Sequence, residues 1–156
     1  MKEYVLVVLL NLCFFNLNCN SQQNQEKNKN IEYSNKQKID KIELKEQTRG
    51  TNRIFTFNSE SLITVLNENT SNSKVDSSDW ENIEKQINLI ELSKFSSFTA
   101  PTTGHYSDQV LASTIIITSN EKTYQSVSFD AGNPPKELAS LYKILQQTIQ
   151  NKKTTK

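Results

Sequence analysis

The sequence predicts an α+β domain in which an antiparallel sheet of about four to five strands carries two helices on one face, forming a two-layer sandwich. Two patterns predict it. Apolar residues alternate with polar ones through several segments, as in half-buried strands, and recur at helical spacing in two others. The segments follow in the order strand, strand, strand, helix, strand, strand, helix. Short turns between the first strands favour antiparallel hairpins.

The first three strands are predicted from alternation. Residues 41–47, "KIELKEQ", place Ile42 and Leu44 on one side, with charged residues between them. The turn signal "RGTN" follows, and "RIFTFN" (53–58) and "SLITVLNE" (61–68) continue the pattern. We expect these segments to form two or three antiparallel strands joined by short loops.

A helix is predicted from about Asp79 to Ile90. Ser78 and Glu81 have the spacing of a capping box at its start. Its apolar positions recur at helical spacing, at Trp80, Ile83, Ile87 and Ile90. Trp80 could stack on a ligand, but an apolar residue in the first helical turn more often anchors the helix to the core.

The remaining elements surround a long connection, "SKFSSFTAPTTGHYSD" (93–108), which is predicted to be irregular and is a candidate binding loop. Residues 110–118, "VLASTIIIT", are rich in β-branched side chains and predict a central strand. "TYQSVSF" (123–129) predicts another alternating strand. Pro135 suits the first turn of a final helix. The apolar stripe of that helix comprises Leu138, Leu141, Tyr142, Leu145 and Ile149.

The beginning of the chain has the pattern of an exported lipoprotein. Tyr4 to Phe15 is apolar except for Asn11, too short to be a confident spanning segment and long enough for the apolar region of a signal peptide. "LNCNSQ" then resembles a lipobox, which predicts that Cys19 is diacylated and becomes the first mature residue. Asn18 stands where such sites usually have a small residue. Cleavage to a free secreted form and an uncleaved anchor are the alternatives.

Three regions are therefore predicted: a signal peptide at 1–18, a lipidated cysteine with a disordered tether at 19–38, and a single α+β domain at 39–152. The tether is rich in Asn, Gln, Lys and Ser and lacks the apolar surface that folding requires. We expect a location in the cell envelope, lipid-anchored to a membrane and facing the periplasm. A soluble periplasmic or secreted protein is the alternative.

Composition narrows the classes of function. The 18 basic and 17 acidic residues give a net charge of +1, which provides no field to attract nucleic acid. Both cysteines lie within the first nineteen residues, so the predicted domain has no thiol for catalysis or metal binding. His105 is the only histidine, which excludes a multi-histidine metal site. We expect no cofactor and no metal.

Three segments together resemble a known group of proteins: "SDWENIEKQINLIEL", "APTTGHYSD" and "KTYQSVSFDAGNPPKEL". They are similar to a family of small uncharacterised lipoproteins and periplasmic proteins of Bacteroidetes-type bacteria. The most specific part is Phe129-Asp130-x-Gly132-x-Pro134-Pro135, although Ala131 replaces the family's histidine. The resemblance covers roughly residues 48–149 and implies a fold and a location, without a reaction.

Five residues are candidates for a binding site or a structural turn: Arg49, His105, Asp108, Asp130 and Gly132. Arg49 and the two carboxylates could converge at loop ends as a small binding or acid–base site. The structural interpretation is favoured. In it, Asp130 orders the following residues as an Asx-turn, Gly132 supplies a positive φ, and His105 is exposed in a polar loop.

Two functions follow from these patterns. The first is a lipid-tethered, non-catalytic module that binds an envelope protein or glycan through residues 94–108 or through a sheet face. The second is an envelope hydrolase that uses Asp108 and Asp130 as an acid–base pair. The first is preferred, because no recognisable catalytic motif is present.

Overall fold

The computed structural model describes residues 37–154. The prediction of four to five strands was wrong, because the described residues form a sheet of seven strands, all paired antiparallel. The strands are β1 (Ile39–Thr48), β2 (Thr51–Phe57), β3 (Ser61–Leu66), β4 (Asn69–Lys74), β5 (Ala112–Ser119), β6 (Lys122–Gln125) and β7 (Phe129–Asp130). Their spatial order is β4-β3-β2-β1-β5-β6, and β7 also pairs with β5.

One strand was not predicted because it has no apolar residue. β4 has the sequence "NTSNSK", so no hydrophobic alternation marks it. It folds back on β3 through Asn67 and Glu68, and Asn67 adopts a φ of 55°. Asn tolerates this left-handed conformation better than most residues do, which allows a tight turn without glycine.

The other extra strand arises because one predicted strand is interrupted. Residues 123–129 form the end of β6 and the start of β7, with a break at Ser126. The Ser126 N–H donates to the Ile115 carbonyl oxygen at 2.9 Å, and the Ile115 N–H donates to Ser126 Oγ at 3.0 Å. A side-chain hydroxyl thus replaces a strand carbonyl at the break.

β1 lies in the middle of the sheet and carries the centre of the core. Its apolar residues sit between those of β2 and β5 in two buried rows, Phe55–Leu44–Ile115 and Phe57–Ile42–Ile117. Burying aliphatic and aromatic side chains in this way contributes most of the favourable free energy of such a fold. The helices contribute to the same core cluster.

The first helix, α1 (Ser77–Ile87), begins and ends earlier than predicted. It buries Trp80 and Ile83 in the core, which confirms that Trp80 is an anchoring residue. The predicted capping box was wrong. Asp76 is the N-cap residue and makes no side-chain capping hydrogen bond.

The second helix, α2 (Ala139–Thr154), follows a short 3₁₀ turn at Lys136–Leu138. Pro135 therefore precedes a 3₁₀ turn and does not begin the α-helix itself. The predicted apolar stripe is buried along its length, at Leu138, Leu141, Tyr142, Leu145 and Ile149.

The connection predicted to be irregular contains two short 3₁₀ helices, Leu92–Ser97 and Gly104–Ser107. The first buries Leu92 and Phe95 and packs against β6. The second leads into Asp108 and positions the candidate site.

Candidate functional site

The candidate site is built on the 3₁₀ turn at Gly104–Ser107. The Gly104 carbonyl oxygen accepts hydrogen bonds from Ser107 Oγ at 3.1 Å and from the Gln109 N–H at 3.3 Å. Asp108 ends the turn with a φ of 54°, in the left-handed region. An aspartate is one of the few residues that adopt this conformation readily, so the local sequence fits the turn.

The carboxylate of Asp130 holds this turn through hydrogen bonds to its backbone. Its Oδ2 accepts the Gly104 N–H at 3.0 Å, and its Oδ1 accepts the His105 N–H at 2.7 Å. The same Oδ1 lies 2.5 Å from His105 Nδ1. The predicted Asx-turn was therefore wrong. The carboxylate reaches back 25 residues to the Gly104–Ser107 turn, and the Asn133 N–H bonds to the backbone oxygen of Asp130 at 2.8 Å.

This environment favours the charged form of Asp130. The Thr102 hydroxyl, the His105 ring and the backbone N–H groups of His105 and Gly104 hold the pKa of the carboxyl well below its usual range, against the opposing effect of burial. An ionised carboxylate only accepts hydrogen bonds, so His105 Nδ1 must carry the proton that it shares with Asp130. Asp130 thus orients the His105 ring.

His105 is buried, contrary to the prediction of an exposed loop histidine. Its side chain is 3% exposed, and the Tyr106 ring lies 4.2 Å away, centroid to centroid. His105 Nε2 is buried and has no hydrogen-bond partner within residues 37–154. An Asp–His pair with a free Nε2 is the arrangement that general bases use. Here, however, Nε2 is shielded from solvent, and no hydroxyl of residues 37–154 lies within hydrogen-bonding distance of it.

Arg49 and Asp108 form a separate ion pair on the surface. Arg49 Nε lies 2.8 Å from Asp108 Oδ2, and the two side chains are 93% and 43% exposed. Exposed pairs of this kind contribute little free energy. The five predicted residues are therefore divided among different partners. Arg49 pairs with Asp108, and His105 pairs with Asp130.

A second buried polar cluster lies at the start of α2 and was not predicted. Tyr142 Oη donates to Glu46 Oε1 at 3.0 Å and accepts the Gly132 N–H at 2.9 Å. Gln146 Nε2 donates to the same carboxylate oxygen at 2.8 Å. Burial, and then the charge of Glu46, raise the pKa of Tyr142. The alternation of Ile42 and Leu44 in β1 also places Glu46 on the buried face, which was the available signal.

Gly132 joins the two clusters along the chain. Its φ is +88°, which confirms the predicted positive φ. Its N–H binds Tyr142, and two residues earlier Asp130 holds the Gly104–Ser107 turn. Hydrogen bonds of the segment "FDAGN" thus link both the Gly104–Ser107 turn and α2 to the sheet.

Two surface grooves are further candidates for binding. The first, which we term the hairpin groove, has a volume of about 270 Å³ and lies between the β3–β4 hairpin and the end of α2. Its walls include Leu62, Leu66, Ser71, Ser73, Ile149 and Lys153. The second has a volume of about 360 Å³ and is lined by Phe98 and Pro101 of the predicted binding loop and by Lys136 and Glu137.

Comparison of the chain with protein-family models, with curated proteins and with solved structures finds no match. The resemblance to the Bacteroidetes-type family therefore stays a prediction.

In the part of the chain that the structure describes, no three His, Cys, Asp or Glu residues are grouped so as to hold a metal ion. Neither α1 nor α2 has the length and hydropathy needed to cross a bilayer. Cys19 and the predicted tether up to residue 36 lie outside the described residues.

Proposed function

We propose that this protein is a lipid-anchored component of the cell envelope whose folded domain binds a partner without catalysing a reaction. The observation that carries the proposal is the hydrogen bonding of the Asp130 carboxylate. Both of its carboxylate oxygens accept hydrogen bonds from Gly104 and His105 of its own domain. A carboxyl with a strongly lowered pKa stays ionised at neutral pH and is a poor proton donor or acceptor there.

The alternative, an envelope hydrolase with Asp108 and Asp130 as its acid–base pair, has less support. Asp108 pairs with Arg49 on the surface, whereas Asp130 binds the Gly104–Ser107 turn. Neither carboxylate lines either of the two grooves described above. General acid–base catalysis requires both groups to reach one substrate.

The lipid anchor is proposed from the sequence. An apolar run that is short for a bilayer span ends near Cys19, and a polar segment leads from there to β1 at Ile39. Two acyl chains would hold the protein at a membrane, and the polar segment would keep the domain away from its surface. The expected partner is another envelope protein or a glycan.

Affinity capture from solubilised membranes tests the binding function, with the full-length protein as bait. We expect the wild type and the Asp108→Asn variant to retain the same partner, since Asp108 makes only a surface ion pair. Failure of the wild type to retain any envelope component would contradict the proposal. So would hydrolysis of an envelope glycan by the wild type that Asp108→Asn abolishes.

A further inference from the structure

Within residues 37–154, the outer edge of β4 is open. β4 ends the sheet, and within residues 37–154 no other strand or loop bonds to the edge that faces away from β3. At the other end of the sheet, the 3₁₀ helix Leu92–Ser97 packs against β6. An open strand edge presents a row of unpaired N–H and C=O groups that another extended chain can pair with.

The ladder shows which groups of β4 are available. The Val75 N–H donates to the Glu60 carbonyl oxygen at 3.0 Å, one position beyond the Ser61–Lys74 pair. Bonded and non-bonded pairs alternate along an antiparallel ladder. The backbone groups of Ser71 and Ser73 therefore point toward β3, and those of Thr70, Asn72 and Lys74 point outward. The β3–β4 register is continuous from one end to the other, without a bulge that would disrupt this row.

The hairpin groove lies beside this edge, on the helix side of the sheet. Ser71 and Ser73 direct their side chains to that side, since they pair with Thr64 and Leu62. Alternate side chains of a strand added to β4 would project beside the two serines, toward Leu66 and Ile149. Leu66 is 38% exposed, so apolar side chains placed there would remove apolar surface from water.

The charge of the groove favours an acidic group. Lys152 is already engaged, since its Nζ lies 2.6 Å from Asp76 Oδ2 and 3.5 Å from Asp79 Oδ2. Lys153 has no carboxylate partner within the described residues, and its Nζ lies 5.9 Å from the centre of the Phe55 ring. A carboxylate in the groove would find its ion-pair partner in Lys153.

We infer that the β4 edge binds an extended segment of a partner protein as an eighth strand. The segment carries apolar residues at alternate positions and an acidic residue that faces Lys153. Backbone hydrogen bonds to Thr70, Asn72 and Lys74 supply affinity, and the hairpin groove selects the side chains. The inference rests on the proposed binding function and names its surface and its class of partner.

Proline at position 72 tests the edge, because it removes an outward N–H while leaving the ladder to β3 intact. The probe is a displayed library of peptides of about eight residues, the length of an ordinary strand, selected against the full-length protein as purified from cells. We expect alternating apolar peptides that contain Asp or Glu. Asn72→Pro should weaken their binding by about tenfold or more, and Asn72→Ala by less than about twofold. Thermal melts establish that both variants fold.

Lys153→Glu tests the groove independently. It should weaken an acidic peptide by about threefold and leave the amide analogue of the same peptide unchanged. In hydrogen exchange, the amides of Thr70, Asn72 and Lys74 should exchange rapidly in the free protein and slowly with peptide bound.

Four outcomes would overturn the inference: selected peptides without alternation, peptides that bind Asn72→Pro as well as the wild type, protection of the edge in the peptide-free monomer, or a dimer that Asn72→Pro dissociates. The last two would assign the edge to another part of this chain or to a second copy. If affinity capture yields a partner that Asn72→Pro still retains, the binding function stands and the edge proposal fails. If neither capture nor selection yields a ligand, both fail.

Discussion

The carboxylate of Asp130 holds the backbone of His105, which lies 25 residues earlier in the chain. Together with the bond to Gly104, this contact fastens a polar loop to the short strand β7. A carboxylate that accepts several hydrogen bonds in this way is a structural clamp between two segments that have no ladder between them.

Asp130→Ala should destabilise the domain, because it removes the acceptors of the Gly104 and His105 N–H groups. Asp130→Asn should be milder, since its amide oxygen still accepts one of them. Denaturant unfolding of the full-length protein measures both. Asp108→Asn is the control and should unfold like the wild type, because asparagine also adopts the left-handed conformation of residue 108 and the Arg49 ion pair is exposed. Wild-type stability of Asp130→Ala would show that the carboxylate does not hold the turn.

Asp130 should also make stability depend on pH in the acid range. Its folded pKa lies well below the ordinary aspartate value, so its ionised form stabilises the fold above that ordinary value, about 3.9. This contribution should be lost as the pH falls from about 4 toward the folded pKa. Unfolding measured between neutral pH and about pH 3 should show a smaller acid loss for Asp130→Asn than for the wild type. If the wild type and Asp130→Asn lost the same unfolding free energy between neutral pH and about pH 3, this assignment would be contradicted.

Gly132→Ala should cost about 1–2 kcal/mol of unfolding free energy, because a φ of +88° strains any residue with a Cβ. The cost arises from backbone conformation and not from crowding, since a Cβ at this position would meet no atom within 4 Å. Gly50 has equally open surroundings and no positive φ in that range, so Gly50→Ala is the control and should be close to neutral. If the two variants were equally stable, the positive φ of Gly132 would not strain an alanine at that position.

Tyr142→Phe should cost about 1–3 kcal/mol, because a carboxylate oxygen of buried Glu46 loses a donor and the partly buried bond from the Gly132 N–H loses its acceptor. Tyr106 is 75% exposed, so Tyr106→Phe should change stability by less than about 0.5 kcal/mol. Thermal or denaturant unfolding compares the two hydroxyl deletions. If both variants behaved alike, the cluster around Tyr142 would contribute no stability.

Cys19→Ser should move the protein from the membrane fraction to the soluble envelope fraction while leaving the domain folded, because the stable attachment of two acyl chains would be lost. Cys13→Ser is the control and should remain with the membrane, since the predicted cleavage removes residue 13. Fractionation and intact mass measure the result. Sedimentation of Cys19→Ser with membranes, or a wild-type mass without lipid, would refute the predicted anchor.

The local elements whose pattern repeats along the chain could be predicted from the sequence alone. Alternation in β1 and β2, the apolar stripe of α2 and the core position of Trp80 follow from the periods of strands and helices. The positive φ of Gly132 followed from its place between a strand and two prolines. These features depend on neighbouring residues, so a single sequence carries their signal.

Which distant groups meet depends on how the elements pack in the folded domain. Asp130 could have bonded to the N–H groups that follow it, and the packing of β7 against β5 brought it to His105 instead. Glu46 meets Tyr142 across 96 residues for the same kind of reason. The polar strand β4 forms because β3 offers it a ladder, without any apolar residue of its own. Periodicity fixes the direction of a side chain within its element, but the partner is chosen by how the elements pack.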